Sequence, residues 1–385
     1  MNRIYEREKE NGGGEHFTIL RSPFTIQRSL SPSSPFLSTM RIFVYEHITG
    51  GGSCGRPLPP SLAQEGQAML HAISTDLAHL EDPLVRVTAV LDERVSLELP
   101  PGRVDTIRVS TVEKARSLFD ELCATSDGTL IIAPELNGDL LRLARRVDEV
   151  GGRHLGSRPA AIEETADKLL LARHLTANGI RCIPTEDYST GRASSFPFPL
   201  VLKPRHGAGS TDTFLIRDRD SFPEPVRESV LTPFTGGLAA SVLTLKGPSE
   251  RPDTSIAFPA CEQLLSQDGR FRYHGGRCPL PRDLDSRARK LALATTNLLE
   301  GVRGFVGVDL LLGDPDTDGD WVVEVNPRLT TSYVGLRALS RSNLAAAWLS
   351  VVRGDLPLPP LTWHPGSVHF HPDGTVETES LEKTH

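Results

Sequence analysis

The sequence predicts an α/β protein, with an N-terminal domain built on a parallel sheet and a second half organised around a polar hairpin. Three observations lead there. From Met40 to about Leu155, apolar strand-like runs alternate with stretches of helical periodicity, as expected for parallel strands joined by helices. Between Gly304 and Arg328, GFVGVDLLLGDPDTDGDWVVEVNPR, two strand-like runs flank a turn rich in Asp and Gly, which reads as a β-hairpin. Between these regions, FPFPLVLKPRHGAGS sets a lysine on a strand just ahead of a glycine loop.

The 385 residues suffice for two or three domains with sizeable cores. A hydrophobic content of 38% with 24% charged residues is ordinary for a water-soluble globular chain. A net charge of −7 with no basic stripe argues against nucleic-acid partners and against a membrane surface. No apolar run approaches the ~18–20 residues that span a bilayer. Cys54, Cys123, Cys182, Cys261 and Cys278 are scattered, without a CxxC pair. They read as reduced thiols and point to a cytoplasmic protein.

In chain order, residues 1–39 show no periodicity and no secretory signal, and disorder is expected there. Met40 opens a clean buried strand, so it is also a candidate initiator, which would make the first 39 residues a gene-start artefact. The strand MRIFVYEHI (40–48) runs into ITGGG, and a helix follows from Ser61 to Leu80. A strand near Val85–Leu91, a helix near Thr111–Ala124, a strand Thr129–Glu135 and a helix ending before Gly151 complete a domain at 40–156. The loops at 46–52 and 134–138 follow strand ends, where an open α/β sheet takes its ligands; GGG serves a plain turn equally well. LGSRPAAIEETADKLLLARHLTANG predicts one helical region, with Ser157 as its cap, Pro159 early and Gly179 at its stop. Lys168 lies in it, and a helical lysine taken alone is a solvated charge.

The hairpin carries the chemistry. Side chains alternate along a strand, so Glu324 and Asn326 share a face. Setting Leu312 opposite Trp321 places Asp309 opposite Glu324. Two carboxylates facing each other cost about 0.2–1 kcal/mol. A divalent cation removes that cost, and Asp, Glu and Asn are oxygen ligands that Mg²⁺ takes while keeping positions open for phosphate. Two unrelated surface acids are the alternative. The HGAGS loop after Lys203 is no Walker loop, and Asp212 stands where a dinucleotide fingerprint needs its third glycine. Such a loop can still lay backbone N–H groups along a polyphosphate, and Lys203 adds a point charge to the same anion.

The order Lys168, Lys203, HGAGS, Asp309, Glu-x-Asn resembles the ATP-grasp superfamily of carboxylate–amine ligases, from Met40 to about Leu349. MRIFVYEHITGGG, IIAPE and NPRLTTSYVGLRAL are similar to the tyramine–glutamate ligase group of methanofuran biosynthesis. The resemblance implies an ATP-grasp fold behind a preATP-grasp parallel-sheet domain at 40–156. The grasp would occupy 157–350, as a small clamping part at 157–245 and a metal-binding half at 246–350, with a hairpin or tail at 351–385. It further implies that Lys168 and Lys203 contact ATP phosphates and that His206, Gly207, Ala208, Gly209 and Ser210 close over them. Asp309, Glu324 and Asn326 would hold Mg²⁺, or Mn²⁺ in its place. Arg328 would bind the phosphoryl group or a substrate carboxylate, making Arg328 and Lys203 the catalytic residues. Backbone at Pro233 and Phe234 would take adenine, while Ala239 stands where relatives carry a ribose-binding acid. Arg277, in FRYHGGR, would be a third cation over the phosphates, or simply part of a Gly-Gly turn.

The activity so implied joins a small-molecule carboxylate to an amine with ATP turned to ADP, in a chain that could form a homodimer. A ligase acting on other amino acids and a nucleotide-binding regulator without turnover are the alternatives. Asp314, Asp316, Asp318 and Gly319 imitate a calcium loop, but Val325 occupies its twelfth position and a polar hairpin turn is the better reading. His369 and His371 share a strand face and could pair on a metal; a terminal hairpin with a PDG turn is the plainer reading.

Overall fold

A computed structural model describes residues 39–379, apart from 83, 189–193, 208–209, 224–227, 248–253, 315–318, 356–357 and 359. The expected extension and the centre of the calcium-like turn lie outside the described residues.

The N-terminal sheet is parallel throughout. Its strands are β1 (Met40–Glu46), β2 (Val85–Asp92), β3 (Val104–Val109) and β4 (Gly128–Ile132), in the order β3-β2-β1-β4. Helix α1 (Pro60–Ala78) packs on one face, while α2 (Val112–Thr125) and α3 (Asp139–Glu149) cover the other. Strand β3 was not expected, because VDTIRV at the sheet edge exposes half of its residues and lacks an apolar run. Strand β1 stops two residues early. Residues 48–52 form a π-turn in which the Gly52 N–H reaches the His47 carbonyl at 2.9 Å. Gly51 takes φ +101°, a conformation that favours glycine. The buried Glu46 carboxylate accepts from the Ile48 and Thr49 N–H groups and so caps that turn.

The single helix expected near 157–179 is two: α4 (Pro159–Ala166) and α5 (Lys168–Ala177). Asp167 leaves helical geometry and caps the second helix, accepting from the Leu169 and Leu170 N–H groups. Ser157 does not cap the first; its hydroxyl accepts from the Arg303 N–H, and Arg158 holds the cap position.

A small antiparallel sheet of β5 (Glu186–Tyr188), β6 (Leu200–Pro204), β7 (Phe214–Ile216) and β8 (Ser229–Pro233) runs in the order β5-β8-β6-β7 around its own core of Leu200, Leu202, Ile216 and Leu231. The large antiparallel sheet holds β9 (Leu238–Lys246), β10 (Ile256–Ala257), β11 (Cys261–Leu265), β12 (Tyr273–Cys278), β13 (Gly304–Leu312), β14 (Asp320–Asn326), β15 (Ser367–Phe370) and β16 (Val376–Glu379). Its order is β14-β13-β9-β11-β12-β15-β16, with β10 beside β9. This corrects the division at 245. Residues 238–246 pair with β13 over nine positions and belong to the large sheet, so the break falls in the link between Pro233 and Leu238. The C-terminal hairpin forms as expected and extends the edge of the same sheet.

Both faces of the large sheet are covered, which explains the near-continuous apolar run in β13. Val306, Val308 and Leu310 face α6 (Arg282–Leu298) and the α4–α5 pair. Phe305 faces the other way, stacked on Trp348 and edge-on to Tyr333, in the layer formed by α1, α7 (Ser332–Leu339) and α8 (Leu344–Arg353). Asp76 of α1 ties the N-terminal domain to this layer. It accepts from the Tyr333 hydroxyl at 2.6 Å and from Arg337 Nη2 at 2.7 Å, while its backbone carbonyl accepts from Asn343 Nδ2 at 2.7 Å.

Removing the carboxylate strands a buried hydroxyl and a half-buried guanidinium. Asp76→Ala is therefore expected to lose about 1–3 kcal/mol, and Tyr333→Phe, which leaves the ion pair in place, about 1 kcal/mol. Urea midpoints of the two variants check this; equal losses would show that Asp76 contributes nothing beyond the hydroxyl contact.

Candidate functional site

Asp309 stands opposite Glu324, as the sequence led us to expect, but by a different route. Leu312 pairs with Asp320 and Leu311 with Trp321; a bulge between Asp309 and Leu310 shifts the ladder by one residue. The bulge brings Glu324 and Asn326 to the face of Asp309. Asn326 Nδ2 donates to Asp309 Oδ2 at 3.1 Å, and Gln263 Nε2, from β11, donates to Oδ1 at 3.1 Å. Ser241, paired with Asp309 across β9, also hydrogen-bonds its carboxylate. Burial and the Glu324 charge together push the Asp309 carboxyl up to about 7. Burial works the same way on Glu324, but Lys168 and Lys203 outweigh it and hold that carboxyl below its ordinary value. One acid is thus kept ionised by cations and its neighbour resists ionisation, an arrangement that a divalent cation between them would relieve. Asp, Glu and the Asn326 amide are a fitting oxygen donor set for it.

The lysines come from separate elements. Lys168 opens α5, where the Asp167 cap fixes the chain, and its buried ammonium donates to the Gly207 carbonyl at 2.8 Å and lies 3.6 Å from Glu324 Oε2. It is not a solvated helical charge. Lys203 lies on β6, partly buried, and both burial and the Lys168 charge push its ammonium below the usual lysine range. The two lysines are close enough for their charges to act on each other, and both act on Glu324. Arg205 bonds both Asp167 carboxylate oxygens, and its carbonyl accepts from the Lys168 N–H at 3.1 Å. The start of α5 and the start of the glycine loop therefore move as one piece.

Within that loop, Ala208 and Gly209 lie outside the described residues. His206 is exposed, with Nε2 4.0 Å from Glu228, and Gly207 is committed through its carbonyl to Lys168. Ser210 sits at φ +55°, left-handed and strained for a serine. In the link to the large sheet, the Phe234 N–H donates to the Pro199 carbonyl at 3.0 Å and Pro233 has none, so neither offers a free backbone donor to adenine. What the link presents is the exposed Phe234 ring, 6.3 Å from Phe271. Ala239 lies across from Leu311 of β13. Arg277 does not join the site. It pairs with Glu262, next to Gln263, and so leaves the opposite face of the sheet from Asp309.

Arg328 is near the carboxylates but already engaged. Its guanidinium bonds Glu135 through Nε at 3.1 Å and Nη2 at 2.9 Å, and Nη1 donates to the Leu329 carbonyl. Glu135 sits in the loop after β4, among the strand ends where a ligand was expected. Glu65 of α1 accepts from Thr331 Oγ1 at 3.2 Å, and burial raises its carboxyl. Tyr273 lies within reach of the charges of both Glu65 and Asp309, and burial raises its hydroxyl. Ser241, Gln263, Glu65 and Tyr273 were not anticipated. Only Ser241 carries a local signal, as a lone polar residue on the inner face of an apolar strand. The glycines after β1 help to line a separate cavity of about 530 Å³, with Tyr45, His47, Arg142 and Arg146.

Residues 85–162 match the pre ATP-grasp 3 domain and residues 165–332 the ATP-grasp domain. A tyramine–L-glutamate ligase of Methanocaldococcus fervens is 25% identical over 216 residues, 55% of this chain and 62% of that protein. The match thus spans about three fifths of that relative's length. A D-alanine–D-alanine ligase of Lacticaseibacillus casei is 22% identical over 283 residues, covering 68% of this chain and 74% of its own. Among solved structures, an ATP-grasp superfamily protein of Archaeoglobus fulgidus superposes with a TM-score of 0.62 at 22% identity, over 86% of this chain and 92% of that one. An L-amino acid ligase of Bacillus licheniformis gives 0.61 at 16% identity, over 87% and 80%. A biotin carboxylase domain of Hydrogenobacter thermophilus, solved in complex with the magnesium salt of ADP, superposes with a TM-score of 0.63 at 13% identity, over 86% of this chain and 73% of that one. The chain belongs to the ATP-grasp superfamily, with a pre ATP-grasp domain ahead of its ATP-grasp domain.

Proposed function

We propose that this protein is an ATP- and Mg²⁺-dependent ligase that activates a small-molecule carboxylate as an acyl phosphate and joins it to an amine, releasing ADP. The observation that carries the reading is the meeting of Lys168, Lys203, Asp309 and Glu324 on one face, two ammonium groups against two carboxylates that resist sharing a site. In this reading Asp309, Glu324 and Asn326 hold the metal, for which Mn²⁺ could substitute. Bound there, the metal would neutralise charge building on the phosphates. Lys168 and Lys203 bind phosphate oxygens, and the loop from His206 to Ser210 covers them. The exposed Phe234 ring stacks on the base. Arg328 orients the substrate carboxylate or the moving phosphoryl group once it exchanges its partner Glu135 for that anion. No side chain is needed as a covalent nucleophile. The residues orient the reactants, worth up to ~7–11 kcal/mol in favourable cases, and keep water from the acyl phosphate. Homology at the level of 25% identity favours glutamate and tyramine as the first pair to try, with methanofuran-type cofactor synthesis as the setting. A cytoplasmic location fits five cysteines that are all free and buried.

Incubation with ATP, Mg²⁺ and a panel of carboxylates and amines, scored for ADP, tests the reading. One pair should release ADP in step with amide. Glu324→Gln should leave the fold intact and abolish that release, because it takes one of two anionic ligands from the metal. Turnover at the parent rate in this variant would sink the metal assignment.

A second expectation sets function against stability. The Asp309 carboxyl ionises near 3.8 in an unfolded chain and near 7 here. Its folded value is raised, so the metal-free protein should lose stability as pH climbs from about 4 to about 7. Asp309→Asn removes that penalty. At pH 8 in a chelator it should unfold roughly 1–3 kcal/mol later than the parent, partial exposure reducing the full linkage value, while making no ADP. A variant less stable than the parent under those conditions would show that Asp309 is not penalised.

A further inference from the structure

The C-terminal hairpin carries a cluster that the ligase reading does not use. His369 on β15, His371 just beyond it and Glu377 on β16 bring one nitrogen each and a carboxylate oxygen within 4.8 Å of one another. The two imidazole rings stand 4.4 Å apart at their centroids. Glu377 lies directly across the ladder from His369, and a PDG turn folds the chain back so that the His371 N–H meets the Thr375 carbonyl. His369 Nδ1 is 4.0 Å from one Glu377 oxygen and His371 Nε2 is 3.6 Å from the other. Both gaps are too long for hydrogen bonds. Three good ligands therefore surround a space without satisfying one another.

We propose that His369, His371 and Glu377 form a site for a divalent transition metal of the Zn²⁺ class. Two neutral imidazoles and one carboxylate are a common three-ligand set for Zn²⁺, with water in the fourth position. Tetrahedral bonds of that length set ligand atoms about 3.4 Å apart, so closure needs only a modest movement of Glu377, whose side chain is largely exposed. The donor atoms select the metal: imidazole nitrogens suit Zn²⁺, whereas a hard cation such as Mg²⁺ prefers oxygen ligands and would find one carboxylate here. Arg277 on β12, next to His369 in the ladder, opposes any cation held by charge alone. The site lies at the opposite end of the large sheet from Asp309 and Glu324, on the opposite face. A metal there would clasp the last strand, β16, to β15, independently of nucleotide.

The test is a Zn²⁺ titration of the chelator-treated full chain against a chromophoric competitor, paired with thermal melts. The parent should take one Zn²⁺ per chain with a dissociation constant on the order of micromolar or tighter and melt at a higher temperature with it. His369→Ala and His371→Ala should each weaken binding at least tenfold and cancel the thermal gain, and Glu377→Gln should weaken it measurably. Glu324→Gln should bind Zn²⁺ as the parent does, which separates this site from the proposed nucleotide metal. If His369→Ala fails to fold, the more exposed His371 and Glu377 variants decide. Parent-like binding in His371→Ala, loss of binding in Glu324→Gln, or no binding by the parent would each overturn the proposal.

Discussion

Much of this structure depends on two carboxylates that do not belong together. Asp309 and Glu324 face each other across a bulged hairpin, partly buried, and one of them is pushed to about 7 by burial and by the other's charge. Such an arrangement is unfavourable unless something cationic accompanies it. In the chain as it stands, Lys168 and Lys203 provide that charge, and they do so from two elements remote in sequence. Lys203 is shifted toward neutrality in return, by burial and by the Lys168 charge. Metal between the acids and phosphate between the lysines would satisfy both pairs at once. Each half of the site makes the other tolerable, and a ligand carrying both charges makes the whole favourable.

The rest of the fold holds these four groups to one place. The large sheet brings β14, β13, β9 and β11 side by side, so Ser241 and Gln263 reach Asp309 from the neighbouring strands. Asp167 ends one helix and begins the next, which turns Lys168 inward rather than along a solvated face. Arg205 then couples that helix start to the glycine loop. On the far side, Glu135 keeps Arg328 extended toward the N-terminal domain, so the two domains meet at the residue proposed to handle the anionic substrate. Activation would then require Arg328 to trade an internal carboxylate for an external anion, an exchange between similar partners that demands little reorganisation.

Much of this was readable in the sequence, for identifiable reasons. The hairpin declared itself through two apolar runs and a turn rich in Asp and Gly, and the face of Glu324 and Asn326 followed from the two-residue period. The pairing of Asp309 with Glu324 was right although the assumed register was off by one at Leu312, because a bulge restores the match; nothing local in DWVVEVN marks an extra residue. The break at Asp167 was hidden inside good helix-formers. Strand β3 was hidden because an edge strand needs no apolar run. Arg277 was misplaced because a Gly-Gly pair suggests a turn, whereas here Gly275 and Gly276 lie within β12, at positions where an added Cβ would collide with the Phe370 carbonyl and ring. Gln263, Glu65 and Tyr273 depend on tertiary register alone, and no local pattern points to them.

The most direct test of this account is calorimetric titration of Lys168→Met and Lys203→Met with a non-hydrolysable ATP analogue and Mg²⁺. Methionine keeps an apolar stem of similar length and removes the charge. A charge-assisted contact to phosphate is worth roughly 1.5–3 kcal/mol, so each variant should bind about tenfold to a hundredfold more weakly than the parent. If both bind as tightly as the parent, the lysines serve only to offset Asp309 and Glu324, and the nucleotide site lies elsewhere.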